Sequence, residues 1–192
     1  MNEIELIRSQ LTAERQHAGA VANACVSALQ RARTNEVPGG PALAEFRQAC
    51  VDYLACVLPW FEERDQRLAD LARARLGAAD PEGRALEEVL ARPGRSREAL
   101  QRLEAACATG SASGRAVSDS WQDFAHYLAS VWGARRDALD ALLGARLRVT
   151  DWRSVSGIDA DTILEERQRY ARVCALLPSG VSLAATPPTG GG

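Results

Sequence analysis

The chain holds two histidines, and each follows an acid by three residues: Glu14-x-x-His17 and Asp123-x-x-His126. On a helix that spacing puts carboxylate and imidazole on one face. Such a pair can move a proton, or share a metal with carboxylates from facing helices, as in di-iron carboxylate bundles. In the metal case Glu62, Glu63 or Glu104 would have to supply the lone carboxylates. His126 speaks against it, because it lies about 160° around the helix from Leu128 and off the apolar stripe, and is expected to be exposed. Glu14 and His17 read as lying on the core-facing side, as an acid/base pair that would need to reach a bound substrate. A lone histidine on such a face is also a common hydrogen-bonded core residue.

Two further segments carry large or charged side chains where an apolar stripe is expected. One runs Leu58-Pro-Trp60-Phe-Glu-Glu-Arg64-Asp65, and the other Val131-Trp132-Gly-Ala-Arg-Arg136-Asp137. Trp60 and Trp132 either line a cavity or fill what would be an unfavourable void. A charge buried alone is prohibitive, so Arg64 and Asp137 are expected to pair across the helices, unless Arg64 extends its head to the surface. Pro59 removes a backbone donor beside Trp60 and should loosen that helix.

The elements that must position these groups are helical. Ile4, Ile7, Leu11, Ala18, Val21, Cys25 and Ala28 recur at three- and four-residue spacing and predict a helix over 2–33. Pro41 opens a second, carrying Leu43, Phe46, Cys50, Tyr53, Val57, Trp60, Arg64, Leu68 and Leu71 to about residue 77. A third over 82–108 should kink or split at Pro93-Gly94, and a fourth covers 116–146. Thr150-Asp151 supplies cap and acid for a fifth, shorter helical region reaching Leu177. The reading is all-α: an antiparallel four-helix bundle with an additional C-terminal helix, residues 1–177 forming one domain and 178–192 a flexible tail.

Taken together, these neighbourhoods resemble the hemerythrin-like (HHE cation-binding) family over about residues 1–155. The setting of His17, in Glu14-Arg-Gln-His17-Ala-Gly-Ala-Val21, is similar to that of the family's first-helix ligand. The run Ala141-Leu-Leu-Gly-Ala-Arg-Leu147 ahead of Asp151-Trp152 is similar to the family's C-terminal end. The resemblance places second-helix ligands at Trp60 and Arg64, third-helix ligands near Pro93 and Arg97, and fourth-helix ligands at Trp132 and Asp137. Only His17 and Asp137 keep a ligand's chemistry. With two histidines in all, a histidine-rich di-iron centre cannot be rebuilt under any alignment, so no metal and no cofactor are expected.

Composition narrows the function classes. The 23 basic and 25 acidic residues nearly balance, which gives no electrostatic case for nucleic acid or an anionic membrane. Every basic residue is arginine, a bias that points to a GC-rich bacterial genome. Neither a signal peptide nor a membrane span is evident, and the five cysteines are scattered without a Cys-x-x-Cys pair, so free thiols in a cytoplasmic protein are expected. The leading functional reading is a metal-free protein that binds a small apolar or aromatic molecule, or a protein partner, in a sensory or accessory role. Its pocket would be lined by Trp60, Arg64, Trp132 and Asp137. One alternative is a metal-independent enzyme of specialised metabolism, with His17 and Glu14 or Asp137 as its acid/base group. The other is a structural bundle whose fifth helix and tail dock a partner.

Overall fold

The computed structural model describes residues 2–76, 86–87, 92–109, 114–132, 141–157 and 160–183, and every regular element among them is helical. The helices are α1 (Glu3–Arg33), α2 (Pro41–Arg73), α3 (Arg92–Thr109), α4 (Arg115–Trp132), α5 (Val149–Ser156) and α6 (Ala160–Ala175). Residues 141–146 are also helical. No helix among the described residues is long and apolar enough to cross a membrane.

Local chemistry sets the helix boundaries. Asn2 caps α1 through a reciprocal box: its side-chain oxygen accepts from the Glu5 N–H at 2.9 Å, and the Glu5 carboxylate accepts from the Asn2 N–H at 2.7 Å. Gly40, at φ 89°, turns the chain into α2, and Pro41 takes the first position, where its missing N–H has no partner to lose. Pro59 stands inside α2 on its exposed side, and the helix continues through it to Arg73. Pro93 falls in the first turn of α3, and residues 88–91, where the expected kink or split would show, lie outside the described part.

The fifth helical region is two helices rather than one. Gly157 leaves helical geometry at ψ 123° and separates α5 from α6. Its start also differs from the sequence expectation. Arg148 is the cap, and Asp151 accepts the Arg148 N–H at 2.7 Å from the third helical position. Residues 178–183 are not a loose tail either. Val181 is buried in the core, and the Arg31 guanidinium donates to the Gly180 carbonyl. Residues 184–192 lie outside the described part.

The packing order follows from neighbours. α1 lies against α2 and α4, and α3 against α2 and α4, so these four helices close a ring. α1 and α2 run antiparallel, since Arg15 meets Asp65 at 2.7 Å while the C-terminal half of α1 shares a core with the N-terminal half of α2. α6 runs antiparallel along the outer side of α2, with Arg169 donating to the Asp52 carbonyl at 3.1 Å and Tyr53 meeting Glu166 at 3.4 Å. α5 closes one end against α1 and α2.

The apolar interior is divided. An upper cluster holds Val21, Cys25, Leu29, Phe46, Tyr53, Phe61, Leu103, Trp121, Phe124 and Val173, among others. A lower cluster holds Ile7, Leu11, Leu68, Ala72, Leu86, Leu143, Leu147, Trp152 and Val155. Between them, at the level of residues 14–15 on α1 and 64–65 on α2, the stripe turns from apolar to charged.

Candidate functional site

The dividing layer consists of two crossed ion pairs. Arg15 of α1 donates to Asp65 of α2 at 2.7 Å, and Arg64 of α2 donates to Glu14 of α1 at 2.7 Å. Each helix supplies one acid and one base at adjacent positions, and antiparallel packing brings opposite charges together. The Arg15, Arg64 and Asp65 side chains are nearly closed to solvent, at 4%, 4% and 8% exposure, whereas Glu14 keeps 22%. Arg64 also lies over the Trp60 ring, 3.9 Å from its centre, and 5.3 Å from that of Phe61. A guanidinium that has lost most of its water gains from such ring faces.

This settles several sequence-based expectations. Arg64 does not reach the surface; it turns inward onto Glu14. Asp137, its expected partner, lies outside the described residues, as does the side chain of Trp132. Trp60 is only partly buried, packed at the margin of the upper cluster.

His17 does not face the core. It is exposed, and its ring stacks on Tyr170 of α6 with centroids 5.6 Å apart and planes 20° from parallel. Glu14 turns to Arg64 instead. The buried stripe of α1 is narrow at this level, passing through Leu11, Arg15 and Ala18, and widens only from Ala20 onward. Tyr170 in turn meets Tyr53, centroids 5.6 Å apart, and burial with Glu166 nearby pushes the Tyr53 phenol far above its ordinary range.

The carboxylates considered for a metal do not converge. Glu63 pairs with Arg67 on the surface, Glu104 is exposed, and His126 and Asp123 are exposed on α4. Among the described residues no three His, Cys, Asp or Glu side chains are grouped to hold a metal ion. The five cysteines are all free; Cys25 and Cys50 are buried, and Cys174 is exposed.

Glu62 was legible only as one of three spare carboxylates, yet its acidity is strongly perturbed. Burial pushes its carboxyl up from the ordinary 4.5 to about 7. Ser96 and Arg97 act in the opposite direction, and Asp65 adds to the rise. The consequence for stability has a definite sign. A carboxyl whose folded-state value is raised binds more protons folded than unfolded, so stability falls as pH climbs from about 4.5 to about 7 and is level above that. Glu62→Gln is therefore expected to raise the melting temperature at pH 8 and leave it unchanged at pH 4. Thermal melts at the two pH values check this, and equal effects at both would contradict it.

No protein-family model matches the chain, and neither a curated protein nor a solved structure matches it.

Proposed function

We propose that this protein is a metal-free helical bundle of hemerythrin-like type that works as a small-molecule-binding, sensory or accessory protein. The observation that carries the reading is the Glu14–Arg64 pair with Trp60 stacked on the guanidinium. The resemblance assigns Trp60 and Arg64 to ligand positions of the second helix. Here one is a ring and the other a cation already engaged by a carboxylate, and a cation at such a position repels a metal ion. The partly exposed Trp60 face beside a desolvated cation suits an aromatic or apolar ligand.

The exposed, stacked setting of His17 weakens the enzymatic alternative that rests on it. His17→Ala removes one ring contact and is expected to cost less than about 1 kcal/mol. Elemental analysis of the purified protein tests the main reading. Iron and manganese are expected far below one equivalent, and stoichiometric metal would overturn it. Fluorescence titration with small aromatic compounds and lipids then tests binding. The expected result is a saturable change lost in Trp60→Phe, and a flat response across the panel would count against a ligand site at Trp60.

A further inference from the structure

Glu62 lies about 160° around α2 from Arg64, by the helical repeat, so it faces away from the Arg64–Glu14 pair, while Asp65 of the other pair is its neighbour about 60° around the helix. It looks toward α3 and α4. Its Oε1 atom is closed to solvent and has no hydrogen-bond partner among the described residues. Native structures rarely leave such an atom unsatisfied, and when they do a bound group commonly supplies the partner. Around it stand Asp65 on α2 and Ser96 and Arg97 on α3. Ser96 is nearly fully buried and shares a short hydrogen bond with the Tyr127 hydroxyl of α4. The carboxyl and the two hydroxyls thus come from three helices.

We propose that Glu62 and the Ser96–Tyr127 hydroxyl pair form a binding site for a small primary amine, taken up as its ammonium ion. The missing element at Oε1 is a hydrogen-bond donor, and the carboxyl also lacks sufficient positive charge to offset its burial. An ammonium group supplies both. Arg97 gives part of that charge, but burial outweighs it, and Asp65 adds repulsion. An alcohol would bring a donor without charge, and a carboxylate would add a further negative charge beside two acids. The hydroxyl oxygens of Ser96 and Tyr127 can accept the remaining ammonium hydrogens.

Proton linkage makes the site measurable. A simple alkylamine stays protonated through pH 8, so the pH dependence of binding reports Glu62 alone. Affinity should rise about tenfold per pH unit below the Glu62 midpoint and level off above it. The experiment titrates the full chain, carrying carbon-13 in its glutamate carboxyl groups, with methylamine, benzylamine and putrescine, with acetate and benzyl alcohol as controls. The expected result is a fall in the Glu62 midpoint by about one unit or more in saturating amine, and none with the controls. Ser96→Ala and Tyr127→Phe should weaken binding severalfold, and Glu62→Gln should abolish it while circular dichroism confirms a folded chain. Equal shifts with benzyl alcohol would overturn the assignment to amines. No shift with any amine would mean that water satisfies Oε1, and would overturn the site. Neither outcome bears on Trp60, whose fluorescence reports the other face.

Discussion

Replacing Asp65 with alanine is expected to lower the unfolding free energy by about 3–5 kcal/mol. The Arg15 guanidinium and the Asp65 carboxylate meet at 2.7 Å with almost no access to water. Removing the acid takes from Arg15 its 2.7 Å carboxylate in a layer flanked by apolar clusters, where the desolvation of the cation is then less fully offset. For a chain of this size that loss corresponds to a fall in melting temperature of about 10 °C. Chemical denaturation of Asp65→Ala checks the loss, and Arg15→Met, Asp65→Leu and their combination complete a cycle. Arg15→Met with Asp65→Leu should recover most of the loss, because two well-packed apolar residues replace a buried pair at little net cost. Glu14→Gln should cost distinctly less than Asp65→Ala, since Glu14 keeps contact with solvent. A loss below about 1 kcal/mol for Asp65→Ala would place the pair with exposed ion pairs in energetic terms.

This layer also shows where sequence reading reached and where it stopped. Arg15 follows Leu11 by four residues and precedes Ala18 by three, and Asp65 stands in the same relation to Phe61 and Leu68. Both therefore sit on core stripes, and stripe position was a usable signal for a buried pair. The period gave the helices and the burial of Leu11, Val21, Phe46, Val57 and Leu68. Partner choice is a different matter, because it depends on how two helices are set against each other lengthwise. Arg64 finds Glu14 only because α1 and α2 run antiparallel with residues 14–15 level with 64–65. Asp137, the partner expected from the resemblance, lies outside the described residues. His17 failed for a related reason: its face is core-facing only farther along α1, where the buried arc is wider. Glu62 had little signal beyond its charge, since its upward shift comes first from burial at the helix interface, with Asp65 adding to it against the opposing pull of Ser96 and Arg97. Residues 178–183 read as tail because Pro, Ser and Gly dominate them, yet Val181 and Leu183 pack on the upper cluster and Arg31 holds the Gly180 carbonyl.

The tryptophans provide the second large effect, and its ranking runs against their prominence in the sequence. Trp121 and Trp152 are fully buried, one in each cluster, whereas Trp60 is partly exposed. Trp121→Ala and Trp152→Ala are each expected to cost about 3–5 kcal/mol, the transfer free energy of the ring plus the cavity left behind. Trp60→Ala should cost about 1–2 kcal/mol, since it forfeits a partly solvated ring and one cation–π contact. Equilibrium unfolding of the three variants checks the order, and a Trp60 variant as damaged as the Trp121 variant would contradict it.

The two large losses should also differ in kind. Trp121 packs edge-on against Phe124, centroids 6.4 Å apart, within a cluster rich in other rings. Trp152 is the one aromatic residue in the lower cluster among the described residues, and it enters from the short helix α5. Among the described residues a charged layer separates that cluster from the upper core, which is then poorly placed to compensate. Trp152→Ala should therefore open the lower end before the whole chain unfolds. Hydrogen exchange would register this as lost protection in α5, the first turns of α1 and the last turns of α2, with the upper halves of α1 and α2 still protected. Uniform loss of protection would mean instead that the ion pairs couple the two clusters into one cooperative unit.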